Sequence, residues 1–310
     1  MVHSTLSIGQ QVSSIWKLGG LTVQELAQRV WDGINQNDLL DRAYELAFNF
    51  LFAVFPFLLF LAAMFGAFAS EQSKLRIELF LYLHSALPPT AYGLITDTFN
   101  EVTQNASSSK LTFGLLFSIY AALAGMTQLM SALNAAYEVR ESRSWIKIHL
   151  ISLALTIATS ILIISALFLV FAGGEILQFA RGSGHLGPVL AVAGGVLQWT
   201  FALGFVVFVL ALIYYFGPDV KEQHWYWITP GSVVGVLLWA AASAGFRVYL
   251  NVSNTFSKIY GSLGAVIILM LWFYITGLAF LVGGQINATI EHAAAECGHP
   301  EAKPAGKKAA

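Results

Sequence analysis

The chain has 310 residues, of which 57% are hydrophobic and only 11% charged. Soluble domains carry roughly 25% charged residues, so this composition excludes a water-facing surface of matching size. A formal net charge of −1 excludes the basic field of a nucleic-acid binder, and a lone cysteine, Cys297, excludes an intramolecular disulfide and a cysteine-built zinc site.

Residues 1–20 lack the apolar core of a secretory signal peptide, so membrane delivery is expected to rest on internal segments. The following stretch, LTVQELAQRVWDGINQNDLLDRAYELAF (21–48), places Val23, Leu26, Ala27, Val30, Trp31 and Ile34 at helical spacing. Thr22 fits an N-cap, and Glu25 three residues on completes a capping box. The pattern predicts an amphipathic helix on the cytoplasmic face, within a cytoplasmic segment 1–45. The plainer reading is a short helix packed on the loops.

A helix needs about 20 apolar residues to cross a hydrocarbon core of about 30 Å. Gaps between charged residues predict six spans, near 46–69, 111–134, 148–172, 188–216, 228–250 and 260–290, making a membrane domain of 46–291. The runs do not alternate in polarity, as barrel strands would. Between the first two spans, residues 74–104 are amphipathic and broken by Pro88 and Pro89, which predicts short extracytoplasmic helices. The tail 292–310 is rich in Ala, Lys, Gly and Pro and is expected to be a disordered cytoplasmic segment. The fold expected is therefore all-α: a polytopic membrane protein with six transmembrane helices, an N-terminal amphipathic helix and short extracytoplasmic helices.

An even number of spans puts both termini on one side. Lys74, Arg76, Lys110, Arg181, Arg247 and Lys258 fall on the other side, and the remaining ten of the 16 basic residues fall on the terminal side. The positive-inside bias predicts cytoplasmic termini. Trp145 and HWYWITP (224–230) read as interfacial anchors on that side.

Polar groups within the spans need partners that hydrocarbon does not supply. The candidates are Asn49 in the first span, Gln128 and Asn134 in the second, Gln198 in the fourth, and Gln285 and Asn287 in the sixth. Each amide has two readings, interhelical glue or part of a substrate path. Gln285 and Asn287 stand about 200° apart around a helix and are expected to face different partners. Pro56, in FAVFPFLLF, removes one helix hydrogen bond and reads as a static kink or a hinge. Arg247, near the end of the fifth span, either snorkels to the external interface or attracts an anionic substrate or headgroup. Small residues four apart, at Ala121/Gly125, Gly231/Gly235, Ala241/Gly245 and Gly284/Ala288, suit close helix packing.

Several blocks together carry a family resemblance: GMTQLMSALNAAYEVRESRSW (125–145), YYFGPDVKEQHWYWITPGSVVGVLLWAAASAGFRVYL (214–250), and YGSLGAV with GGQINA in the last span, with a weaker match around Pro56. The chain resembles the YihY/BrkB family of bacterial inner-membrane proteins over residues 40–292. The resemblance implies a six-span protein of the inner membrane with both termini cytoplasmic. That family usually has an acidic residue in its last block, in a pattern like GAELNA; here Gln285 stands at that position. A proton-coupled mechanism resting on that carboxylate is thereby put in doubt.

The family has carried a ribonuclease label, but the seven histidines are scattered and no HxH or HExxH occurs. No catalytic residue, metal site or cofactor is expected, although Glu45, Asp97, Glu101, Glu138 and Glu175 lie where they could gather at a mouth. The reading is a transporter of a lipid-like or other amphipathic or neutral molecule. The alternative is a non-transporting membrane scaffold or assembly factor. Membrane lipids are the expected partners, nucleic acid is not, and the oligomeric state is open.

Overall fold

The computed structural model describes residues 16–68, 80–81, 84, 92–93, 96–97, 108–181, 187–220, 229–252 and 262–297. Among these residues the chain is helical and has no strand. A 3-10 turn at Leu18–Gly20 precedes α1 (Val23–Gln36), α2 (Leu39–Phe68), α3 (Ser108–Ala136), α4 (Trp145–Arg181), α5 (Gly187–Phe216), α6 (Pro230–Val252) and α7 (Ser262–Glu296).

The start of α1 follows from local chemistry. The Thr22 hydroxyl accepts from the Glu25 backbone N–H at 3.3 Å, and the Glu25 carboxylate accepts from the Thr22 N–H at 2.8 Å. These two bonds are the capping box read in the sequence; the Thr22 N–H and, at 2.7 Å, the Thr22 hydroxyl both donate to the Glu25 carboxylate and hold its pKa below the ordinary value. Val30, Gly33 and Ile34 form the buried side of α1, while Val23 and Trp31 are exposed.

Among the described residues five helices are long and apolar enough to cross a membrane: Thr112–Ala136, Trp145–Val170, Val192–Phe216, Pro230–Leu250 and Leu263–Glu296. Helix α2, which holds the expected span 46–69 and passes through a buried Pro56 without a break, is not one of the five. At the other end, α7 runs on to Glu296 instead of giving way to a disordered tail after Glu291. The reason is packing: Ala293 and Ala294 are buried. A Cβ on Gly19 would meet the Ile290 carbonyl oxygen at 2.5 Å and the Ala293 Cβ at 3.2 Å, and Gly19 also has φ 63°. Glycine is required there on both counts. Most of the expected helices of 74–104, and residues 224–228 of the aromatic cluster, lie outside the described residues.

The chain forms two compact units. The first comprises residues up to Leu40, Leu129–Ala240 and those from Leu278 onward. In it α4 and α5 pack side by side, pinned where the Gln198 amide donates to the Val170 carbonyl at 2.7 Å. Met130, Leu133, Leu210, Leu281 and Ile290 are fully buried there. The second unit comprises Asp41–Gln128 and Ala241–Gly277. It is rich in aromatic contacts: Tyr44 stacks on Tyr274 at 4.3 Å, Phe50 meets Phe273 edge-on at 5.8 Å, and Phe246 tilts against Trp272 at 5.2 Å.

Of the small-residue pairs, Gly231/Gly235 lets α6 approach α7 and α5. A Cβ on Gly231 would lie 2.1 Å from the Gly283 carbonyl oxygen, and one on Gly235 would lie 3.1 Å from Tyr214 Oη. Gly125 abuts Phe50, and Gly284 abuts Leu133. Gly245 is different: a Cβ there would meet nothing within 4 Å, so Ala241/Gly245 marks no close backbone approach among the described residues.

Candidate functional site

The polar side chains of the helices fall into two groups, one in each unit. The larger group lies in the first unit, around the second half of α7. Gln285 and Asn287 leave that helix in different directions, as their spacing requires. Gln285 is buried. Its Oε1 accepts from Asn37 Nδ2 at 3.3 Å, and its Nε2 reaches Thr289 Oγ1 at 3.4 Å. Gly33 of α1 leaves the room that this amide fills.

Asn287 serves a helix end. The first N–H groups of α6 have no partner within their own helix, and Pro230 at its first position has no N–H to satisfy. The Gly231 N–H donates to Asn287 Oδ1 at 2.9 Å, and Asn287 Nδ2 donates to Thr229 Oγ1 at 3.0 Å. The Ser232 N–H donates to Thr229 Oγ1 at 3.1 Å. Asn287 is thus an N-cap supplied by another helix.

Asn134 joins a polar knot that the sequence reading did not single out. Its Nδ2 donates to Glu141 at 2.8 Å, and its Oδ1 accepts from the Asp219 N–H at 2.6 Å. Arg143, with only 6% of its side chain exposed, donates twice to Glu141, at 2.7 and 2.8 Å. It also donates to the carbonyls of Phe216 and Gly217, at 3.4 and 2.8 Å. These carbonyls are at the C-terminal end of α5, where a cation is favoured. The N–H and hydroxyl of Ser142 close the knot on Asp219, each at 2.7 Å. Partial burial raises the Glu141 carboxyl's pKa, but the bonds from Arg143 and Asn134 outweigh it and hold that pKa below the ordinary carboxylate value. The signal was present in the sequence as a charged loop beside GPD, but charge runs in loops are usually solvated, and nothing local marks this one as folded inward.

The second group lies in the second unit. The Gln128 amide of α3 donates to the Glu45 carboxylate of α2. Glu45 is exposed, and among the described residues no basic side chain lies within salt-bridge distance of it. Gln128 stands eight residues before the end of α3 at Ala136, about 12 Å at about 1.5 Å per residue. The carboxylate therefore meets its partner about two turns inside a membrane-crossing helix. Asn49, read as interhelical glue or part of a substrate path, donates to the Glu45 carbonyl of its own helix at 2.9 Å. Asn side chains satisfy themselves locally in this way. Arg247 is exposed on α6, and Pro56 is buried in α2. Of the seven sequence candidates, Gln285, Asn287 and Asn134 belong to the first unit, and Asn49, Pro56, Gln128 and Arg247 to the second.

The family described as virulence factor BrkB matches residues 30–308. A ribonuclease-like protein, YfkH, of Bacillus subtilis (strain 168) is 29% identical over 249 residues, 80% of this chain and 89% of that protein. A UPF0761 membrane protein of Tolumonas auensis is 26% identical over 273 residues, 85% of this chain and 83% of that protein. One from Laribacter hongkongensis is 25% identical over 266 residues, 85% of this chain and 60% of that protein. No solved structure matches the chain. With its apolar helices and a family match over most of its length, the chain belongs to the virulence factor BrkB family and is a multi-pass membrane protein.

Proposed function

We propose that the protein moves a lipid-like, amphipathic molecule within or across a bacterial inner membrane, with both termini in the cytoplasm. The observation that carries this reading is the Glu45–Gln128 pair. A carboxylate is costly beside hydrocarbon, and ionisable groups at such positions serve substrate pathways or pair with a neighbouring charge. Glu45 is exposed on the flank of α2, and the side chains around it are aromatic. A substrate arriving there comes sideways from the bilayer, which suits an amphiphile better than a small ion.

A scaffold or assembly role is the second reading. It is favoured by Gln285, Asn287 and Asn134, each of which spends its hydrogen bonds on other parts of the chain. The ribonuclease-like name of one relative gains no support from Glu141 and Asp219, which are engaged by Arg143 and Ser142.

Reconstitution in liposomes tests the proposal. Fluorescent lipids of several headgroup classes are placed in both leaflets, and the fraction reached by an external quencher is followed. Faster exchange of at least one class than in protein-free liposomes supports transport. Protein-free rates for every class would overturn it in favour of the scaffold. Orientation has its own test, because Cys297 is exposed and is the one cysteine in the chain. A membrane-impermeant thiol reagent is expected to label it in inverted membrane vesicles and not in intact spheroplasts.

A further inference from the structure

We infer that Glu45 and Gln128 form a headgroup site for a membrane lipid bearing a primary amine. The inference rests on the amphiphile reading above and names the chemistry of the ligand.

The polar end of the site is short of donors. Gln128 Nε2 gives one hydrogen bond to the Glu45 carboxylate. A carboxylate offers about four acceptor sites and an amide oxygen two more. Among the described residues nothing else donates to the Glu45 carboxylate or to Gln128 Oε1, and no basic side chain lies within salt-bridge distance of the carboxylate. A primary ammonium brings three N–H donors and one positive charge, which is the complement of this arrangement. An anionic headgroup would be repelled.

The flank of the site explains why the amine would belong to a lipid. Tyr44, Phe48 and Phe52 follow one another at four-residue spacing on the Glu45 side of α2, and all three are more than half exposed. Phe48 stacks on Phe52 at 6.2 Å, Phe52 tilts against Phe117 of α3 at 5.9 Å, and Phe117 lies 6.3 Å from the exposed Tyr120. The aromatic stripe starts at the carboxylate and runs along the helices away from it. Rings near the headgroup add cation–π attraction, and those farther along offer an apolar track for an acyl chain. A small water-soluble amine would leave this track bare.

The test is lipid retention by the purified full-length protein, read by native mass spectrometry after incubation with mixed micelles. The probes are phosphatidylethanolamine, its N-acetylated form, and phosphatidylglycerol. A charge-assisted hydrogen bond is worth roughly a tenfold preference, so wild type is expected to retain phosphatidylethanolamine over the other two by about that factor. Glu45→Gln is expected to bind all three alike, and Phe52→Ala to weaken all three together. Equal retention of the free-amine and N-acetylated lipids by wild type would overturn the inference without recourse to any variant. So would a Glu45→Gln protein that melts normally and keeps the preference, or one whose only change is its oligomeric state. A protein that exchanges lipid between leaflets but ignores the amine refutes this inference and leaves the transport reading standing.

Discussion

The Cβ that Gly33 lacks would lie 2.3 Å from Nε2 of Gln285. The contact joins α1 to the last helix. Because Nε2 is the end of a side chain, Gly33→Ala displaces the amide instead of forcing two backbones apart. What is lost is the pair of hydrogen bonds to Asn37 and Thr289. A buried polar group left unpaired costs about 1–3 kcal/mol. Thermal melts in detergent are expected to show that loss for Gly33→Ala. The double variant Gly33→Ala, Gln285→Ala is expected to lose clearly less than the two single variants added together. Strict additivity would mean that the two residues do not communicate.

A graded series is expected along α6. Gly231→Ala drives a methyl against the Gly283 backbone oxygen, which has no rotamer to yield with. Gly235→Ala meets Tyr214 Oη at 3.1 Å, where a shift of a few tenths of an ångström suffices. Gly245→Ala meets nothing within 4 Å. Overpacking costs about 1–3 kcal/mol and more against fixed backbone. Melting temperatures are expected to fall most for Gly231→Ala, less for Gly235→Ala and not at all for Gly245→Ala. A Gly245→Ala protein that melts as low as Gly231→Ala would place an unrecognised contact at that face.

Where an interaction is local, the sequence announces it. The capping box of Thr22 and Glu25 needs only a spacing of three, and the divergence of Gln285 and Asn287 needs only the helical repeat. Helix existence was legible for the same reason, since length and apolarity are properties of one segment. The partners were not legible. Gln128 and Glu45 are 83 residues apart, and Asn134 and Asp219 are 85 apart. No periodicity connects positions so distant. Asn49 shows the converse: a polar residue in an apolar segment reads as interhelical glue or part of a path, yet its amide donates to a carbonyl one turn back on its own helix. Ala241/Gly245 has the spacing of a packing motif without the neighbour, because small residues permit close approach and do not cause it.

The cap that Asn287 supplies to α6 separates its two ends. Asn287→Leu removes both the acceptor for the Gly231 N–H and the donor to Thr229. It leaves a buried backbone donor unpaired, for an expected loss of about 1–3 kcal/mol. Asn287→Asp keeps the acceptor and places negative charge at a helix N-terminus, a favourable position worth about 0.3–1 kcal/mol. At neutral pH the aspartate variant is therefore expected to melt well above the leucine variant. Equal melting of the two would show that the donor to Thr229, and not the cap, carries the residue's contribution.

The knot around Arg143 gives the stability a pH dependence whose sign follows from Glu141. Its carboxyl titrates below the ordinary value of 4.5 in the folded protein, because Arg143 and Asn134 bind the charged form. A depressed carboxyl stabilises fully above the unfolded value, and that stabilisation is lost as pH falls through the folded one. The window thus opens near pH 4.5 and extends downward. Glu141 keeps 30% of its side chain in contact with solvent, so its contribution is screened and comes to about 1–2 kcal/mol. Glu141→Gln is expected to melt below wild type at pH 7 and to converge with it as the pH falls below 4.5 and through the lowered folded value, because protonation then removes from wild type the charge that the variant already lacks. Other carboxylates titrate in this range as well, so the difference between the two proteins, not the melting point of either, isolates Glu141. A gap between wild type and variant that stayed constant from pH 7 to pH 3 would show that the residue acts through shape and not through the ion pair.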